Sequence, residues 1–408
     1  MTLYDELKWR GLIKDVTSAE LENKLNNEKL TFYIGTDPTA DSMHIGHYSS
    51  FLIAKRLAKA GHKPILLIGG ATGRIGDPRP TTEREMKSIE EIEKNTKNLK
   101  KQAEEIFGFE VVDNYDWIKN INIIDFLRDY GKYFNINYML DKDIIRRRLE
   151  TGITFTEFSY MLLQSLDFLH LHETRGVNLQ VAGSDQWGNI TSGVDLIRKK
   201  TGDEVYAFTM PLILDQNGKK FGKSEGNALW LDKCKTSSYE LYQYLINTDD
   251  SMIESYLKVF TFLLPEEIMD IVKEHNSEPH LRIGQKTLAK EIITDLHGQE
   301  EYEKAVKISE NLFSGNIKEI NVNDLMIGLK DVPHFILKCE LLIDLLVNNN
   351  ICSSKREARE FLNSNAISIN GEIVNDENMV IDKTQTMEGK IVVIRRGKKK
   401  YFVGVFED

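Results

Sequence analysis

Residues 31–70 of this 408-residue chain restrict the fold more than any other stretch. TFYIG (31–35) is a short apolar run suited to a buried strand, and a polar turn follows it. From about Gly46 to Ala60, the residues Tyr48, Phe51, Leu52 and Leu57 recur at helical spacing until Gly61 stops the helix. PILLIGG (64–70) then reads as a second strand. Strand, helix and strand within about 40 residues make a crossover between parallel strands, and sheets built that way carry helices on their faces. VNLQVAGSDQWGN supplies a further strand ending in a glycine turn, and LILDQNGKKF a hairpin around Asn217–Gly218. Ligands of open parallel sheets gather at the carboxyl ends of the strands, where these turns fall.

Such a sheet does not account for the whole chain, since one core seldom organises 408 residues and two or three domains are expected. From about Ser238 to Leu312 strand signals give way to helical ones, as in SSYELYQYLIN, EEIMDIVKEH, GQKTLAKEIITDLHG and EEYEKAVKISENLF. A mixed stretch near 313–338, containing Pro333, leads to a small C-terminal unit. Hydrophobic residues at 41% and charged residues at 28% are ordinary for a globular protein. No apolar run reaches the roughly 18 residues of a bilayer span, so no membrane partner is expected. The opening MTLYDELKWR is charged, unlike a secretory signal. Cys234, Cys339 and Cys352 form neither a metal pattern nor a disulfide framework, which suits a reducing cytoplasm. A net charge of −10 argues against an extensive nucleic-acid surface. Residues 341–408, however, hold ten Lys plus Arg against ten Asp plus Glu, so a local basic cluster there could still meet phosphates.

Three segments carry candidate chemistry. In DPTADSMHIGH, His44 and His47 stand one turn apart where a helix begins, and helix N-termini can hold phosphate oxygens. The same spacing also suits Asp41 or Ser42 as the cap with both histidines on the surface. No Walker sequence is present, which excludes a P-loop enzyme. KKFGKSEGN places Lys220 and Lys223 around Gly222, a cationic loop able to neutralise pyrophosphate or simply a solvated one. In FTEFSYMLLQSLDFLH, Tyr160, Gln164 and Asp167 form one polar stripe on a helix apolar elsewhere, so they need protein partners or a ligand unless the stripe is exposed.

Taken with GGATGRIGDP, NYDWI, TGITFTEFSYMLLQSLDF and GSDQWGNI, the HIGH and KFGKS segments resemble the signatures of the class I aminoacyl-tRNA synthetases, and within them the bacterial tyrosyl-tRNA synthetases. The resemblance runs essentially from end to end. It implies an α/β architecture: a Rossmann-like parallel-sheet catalytic domain (1–232) with a dimer-forming insertion, a helical anticodon-side domain and linker (233–330), and a small α+β RNA-binding domain (331–408). It also implies that tyrosine and ATP form an enzyme-bound adenylate with release of pyrophosphate, and that the tyrosyl group then passes to tRNA(Tyr). ATP would enter with Mg2+, and no tightly bound protein metal is expected.

By the same resemblance Tyr33 and Asp167 would bind the phenolic hydroxyl of tyrosine, while Asp77, Tyr160 and Gln164 would bind its ammonium group. Thr39 and His44 would contact the transferring phosphoryl group and His47 the nucleotide. Gly35, Asp37, Asp185 and Gln186 would line the ATP site, and Lys220, Lys223 and Ser224 would attend the pyrophosphate. Arg84 matches the family's loop arginine. The loop PRPTTEREM is shorter than in relatives carrying a lysine there, and Arg79 is a candidate replacement. Ile34 stands where several relatives have a cysteine touching the ribose. In the tail, Ser354 and Glu357 have capping-box spacing before a helix showing Lys355, Arg356 and Arg359. IVVIRRGKKKYFVGV reads as a hairpin with Arg395, Arg396, Lys398 and Lys399 at its tip, and these residues would meet RNA. The family is homodimeric, with Phe155 near the subunit contact, although an aromatic there suits a core equally well. The competing readings are another HIGH-bearing nucleotidylyltransferase and a non-catalytic RNA-binding relative.

Overall fold

The computed structural model describes residues 1–79, 82, 85–224, 227–397 and 400–406, with backbone alone at 223, 224 and 227. By compactness the chain divides into two units. The first comprises Met1–Thr236 with Thr248–Leu288, and the second Ser237–Asn247 with Ala289–Asp408.

The first unit is built on a five-stranded parallel sheet: β1 (Thr31–Thr36), β2 (Lys63–Ile68), β3 (Glu110–Asp113), β4 (Leu179–Gly183) and β5 (Tyr206–Met210), in the order β3-β2-β1-β4-β5. The expected crossover between β1 and β2 is present, through the Ile45–Lys59 helix. Phe32, Tyr33, Ile65, Leu66 and Phe208 are all buried, as strands covered on both faces require. Sequence patterning named neither β3 nor β5. Strand order reverses between β1 and β4, and the crevice at that reversal is where a parallel sheet receives its ligand.

The Phe155–Arg175 helix is capped by the Thr154 side chain, which accepts the Glu157 N–H, and ends at Gly176 in the left-handed conformation. It buries Leu166, Phe168, Leu169 and Leu171 beside Ile65, Leu67, Leu196 and Ile197. Ahead of it, short helices between Tyr115 and Leu149 cover a smaller cluster of Met139, Ile145, Met161 and Leu162.

The second unit centres on a sheet in which the Ile391–Arg396 strand lies between Ile367–Ile369 and Lys400–Phe406. Alternate residues of that strand face opposite ways. Val392 and Ile394 join a core with Leu342, Leu346 and Leu362, while Ile391 and Val393 join Ile308, Leu312, Leu325 and Leu329. The helical stretch 233–330 is therefore shared. Its 248–288 portion belongs to the first unit, and the Gln299–Ser314 and Val322–Gly328 helices cover one face of the C-terminal sheet. Helical periodicity reports which face of a helix is apolar but not which neighbour that face meets.

Candidate active site

At the carboxyl end of β1 the first unit collects most of the expected residues. Asp167, facing inward from the Phe155–Arg175 helix, is 2% exposed. One of its oxygens accepts a hydrogen bond from Asn114 Nδ2 and the other from Trp117 Nε1, both at 2.9 Å. Burial pushes its carboxyl up to about 8; the bonds from Asn114 and Trp117 oppose the rise, and Asp37 and Asp113 add to it. Tyr33 is equally buried, and its hydroxyl has no hydrogen-bond partner among the described residues. Burial, then the Asp167 charge, raises that phenol well above its ordinary value. Gln164 Oε1 is likewise buried without a partner among the described residues.

One turn earlier on the same helix Tyr160 donates to Asp37 Oδ2 at 2.9 Å, and Thr72 donates to Asp37 Oδ1 at 2.7 Å. Asn114 Nδ2 lies 3.0 Å from Thr72 Oγ1, and its Oδ1 accepts from Ala71 N, so one network joins the ends of β1, β2 and β3 to the helix. Gly69 makes this approach possible, because a Cβ there would stand 2.1 Å from Asp37 Oδ1. Asp77 accepts from Gln186 Nε2 at 2.8 Å and from Asn189 Nδ2 at 3.2 Å. The residues expected to serve tyrosine and ATP separately are thus tied together: Asp37 to Tyr160, and Gln186 to Asp77.

His44 itself is the N-cap of the Ile45–Lys59 helix, in place of Asp41 or Ser42. Its Nδ1 accepts the Gly46 N–H at 3.1 Å, while His47 Nδ1 accepts the His44 N–H at 3.2 Å. The two rings stack 3.9 Å apart. Two backbone donors on the two Nδ1 atoms put each neutral ring's proton on Nε2. Burial, aided by His44, holds His47 down at about 3, so it is a neutral donor at physiological pH. The Ile45 N–H is taken by the Leu229 carbonyl at 2.9 Å. The first backbone donors, which the sequence suggested for phosphate, are therefore engaged.

Leu229 also brings the second signature alongside the first, because its N–H donates to the Gly222 carbonyl at 3.0 Å. Gly222 has φ +79° and packs against Ile45, where a Cβ would fall 1.9 Å from Ile45 Cγ2. The hairpin expected at Asn217–Gly218 closes through Asp215, which accepts the Asn217 and Lys219 N–H groups. Lys220 is exposed at its end. Backbone at Lys223 and Ser224 pairs with Asn227 and Ala228, and the side chains of both lie outside the described residues, as does Arg84. Thr39 lines a cavity of about 110 Å³ with Asp37, Gly76, Arg79 and Lys87. Gly35 and Asp185 are exposed at the ends of β1 and β4.

Sequence reasoning missed Asn114, Trp117, Thr72 and Asn189. The quoted NYDWI was the available signal, since Asn114 and Trp117 sit one turn apart, but their partner is Asp167, about fifty positions on.

In the second unit, Ser354 caps the Lys355–Asn363 helix, but Glu357 returns to Ser353 instead of completing a capping box. The expected RNA contacts are mostly paired within the chain: Lys355 with Asp344, Arg356 with Glu360 and Arg359 with Glu377. Exposed pairs of this kind are weak enough to yield to phosphate. Arg396 is different, donating to the Ile351 carbonyl and lying 5.3 Å over the Phe361 ring, which makes it part of the fold. The hairpin carrying Arg395 is present, and Lys398 and Lys399 lie outside the described residues.

Residues 25–314 match the family of tRNA synthetases class I (W and Y), and residues 324–404 match the tyrosine–tRNA ligase SYY-like C-terminal domain. A tyrosine–tRNA ligase of Listeria monocytogenes is 50% identical over 415 residues, covering 99% of both chains. One from Macrococcus caseolyticus is 48% identical over 98% of each. Among solved structures, a C-terminally truncated mitochondrial tyrosyl-tRNA synthetase of Aspergillus nidulans has TM-score 0.67 and 33% identity, over 76% of this chain and 94% of that one. That of Coccidioides posadasii has TM-score 0.67 and 29% identity, over 75% and 91%.

Proposed function

The chain belongs to the tyrosine–tRNA ligases of the class I tRNA synthetases, and from that premise we propose which of its residues carry each step. It activates tyrosine with ATP to enzyme-bound tyrosyl-adenylate, releasing pyrophosphate, and transfers the tyrosyl group to the 3' end of tRNA(Tyr).

The observation that carries the residue assignment is the pairing of a buried carboxyl, Asp167, with the buried hydroxyl of Tyr33, which has no partner among the described residues. A phenolic hydroxyl placed between them donates to one and accepts from the other. At the near end of the stripe, Tyr160 and Gln164, with Asp77 across from them, take the ammonium group, for which the Gln164 carbonyl is available. The attacking carboxylate of tyrosine is already ionised, so the first step needs alignment and relief of phosphate charge, not a general base. Thr39 and the Nε2–H of His44 supply donors to the transferring phosphoryl group, and His47 holds the nucleotide as a neutral donor. Gly35, Asp37, Asp185 and Gln186 line the nucleotide side. Lys220, Lys223, Ser224 and Arg84 neutralise pyrophosphate as it leaves.

Magnesium enters as part of the ATP substrate. Among the described residues no group of three or more His, Cys, Asp or Glu is arranged to hold a metal. A cytoplasmic location suits the three free cysteines. No described helix is long and apolar enough to cross a membrane. The C-terminal basic residues Lys355, Arg356, Arg359, Arg395, Lys398 and Lys399 take the tRNA backbone. Exchange of pyrophosphate into ATP tests the assignment: tyrosine alone among the twenty amino acids stimulates it. Stimulation by none of them would favour a different nucleotidylyltransferase.

A homodimer is supported by exposed apolar side chains concentrated between residues 123 and 155. Ile123 and Ile124 are each 65% exposed, Ile136 59% and Phe155 73%, so Phe155 is not a core residue. Phe155→Asp places a charge among those exposed apolar side chains. It yields monomers in sedimentation at micromolar concentration; an unchanged dimer would place the contact elsewhere.

A further inference from the structure

We infer that Arg148 is a positioning residue for tyrosine activation, latching the loop after Asp77 to the helix that binds tyrosine. Its guanidinium is almost wholly buried, and so is its partner Glu157. Nη2 donates to Glu157 Oε2 at 2.7 Å and Nη1 to Glu157 Oε1 at 3.2 Å. Nη1 also donates to the carbonyls of Arg79 and Thr82, at 3.0 and 3.1 Å, and Nε donates to the Gly152 carbonyl at 3.1 Å. One cation therefore joins three segments: the loop after Asp77, the turn at Gly152, and the first turn of the Phe155–Arg175 helix.

Stability alone is a poor reason for this arrangement. Desolvating two charges offsets most of their attraction, and apolar residues of similar volume often do as well. What the planar fork supplies is direction, because every bond it makes fixes a neighbour's orientation. The neighbours are informative. Arg79 lines the cavity of about 110 Å³ together with Asp37, Thr39, Gly76 and Lys87. Glu157 lies one turn ahead of Tyr160, whose hydroxyl holds Asp37 at the same cavity. The latch sets the distance between the loop beside the phosphates and the helix beside the amino acid, the two substrates that must meet in line. The inference rests on placing the ATP phosphates beside Thr39.

Two variants in the full-length protein test it. Arg148→Lys keeps a cation against Glu157 but cannot reach Gly152, Arg79 and Thr82 at once. The double variant Arg148→Met with Glu157→Met replaces the pair by apolar volume and folds without the latch. In both, kcat/KM for ATP in pyrophosphate exchange falls by about 10- to 100-fold, as misplacement of about an ångström does, while the dissociation constant for tyrosine stays within about twofold. Wild-type ATP kinetics in both variants would overturn the inference. So would equal losses for tyrosine and ATP, which mark a general structural role. Thr39→Ala, run in parallel, separates the two levels. If it impairs ATP use and the Arg148 variants do not, only the latch fails; if it too is silent, the placement of the phosphates and the latch fail together.

Discussion

Replacing Asp167 with alanine lowers kcat/KM for tyrosine by about 10³-fold, with KM for ATP within about threefold of wild type. The magnitude follows from what the substitution strands. Trp117 Nε1 loses its acceptor in a buried site, Asn114 Nδ2 loses one of its two, and the Tyr33 hydroxyl has no partner among the described residues. Each stranded buried group costs about 1–3 kcal/mol, and the substrate hydroxyl adds its own lost bond to the carboxyl. Together these amount to about 4 kcal/mol, or three decades. The companion effect is rejection of phenylalanine, which leaves Asp167 and Tyr33 without the substrate hydroxyl; about 10⁵-fold is the value for tyrosyl-tRNA synthetases. Pyrophosphate exchange over a range of tyrosine concentrations decides the matter, since near-normal kinetics in the alanine variant would remove Asp167 from the site.

Asp167→Asn separates charge from shape. The native carboxyl titrates near 8, above the 3.8 of an ordinary aspartate, chiefly through burial. Between those values the folded protein holds a proton that the unfolded chain has released. Its stabilising contribution is complete below about pH 4 and is lost as pH rises through 8. Without ligand, the wild type thus loses up to about 1.4 kcal/mol per pH unit relative to Asp167→Asn across that window. Urea midpoints measured in parallel at pH 5 and pH 8 report the difference, and parallel curves would show a carboxyl that does not titrate there.

His44→Asn has the second large effect, and it falls on rate. Asparagine caps a helix as well as any residue, so the Gly46 N–H keeps an acceptor and the Ile45–Lys59 helix keeps its start. What disappears is the Nε2–H that we propose meets the phosphoryl group. Losing one such donor to a developing charge costs about 10²- to 10³-fold in the activation step. The tyrosine dissociation constant is unchanged, because His44 caps a different helix from the one that carries Asp167. Single-turnover pyrophosphate release measures the step, and a wild-type rate would assign the ring to capping alone. His47, held near 3, contributes no inflection to the activation rate between pH 5 and 8.

Much of this site was legible before any coordinates. Tyr160, Gln164 and Asp167 share one helical stripe because their spacing follows the 3.6-residue turn, and the apolar residues around them foretold burial. Strand β1, the helix opening at HIGH and the Asn217–Gly218 hairpin were legible for the same reason, each being a matter of a few adjacent residues. Asn114 and Trp117 were not, because nothing near them in the chain states that their N–H groups are destined for one carboxylate. The cap was left open between readings for a related reason. His44 displaces Asp41 and Ser42 because its ring accepts the Gly46 N–H while His47 accepts the His44 N–H, a reciprocity that helix-start preferences do not encode.

Order along the chain, then, settles the elements, the polar stripe and the kinship that names the reaction. Folding settles the companions: Leu229 bringing KFGKS against HIGH, Arg148 gripping Arg79 and Thr82, and the 289–330 helices joining the C-terminal sheet. The division has a physical cause. Periodicity and capping act over one or two turns, whereas a buried donor or an apolar face is satisfied by whichever distant segment the packed chain delivers to it.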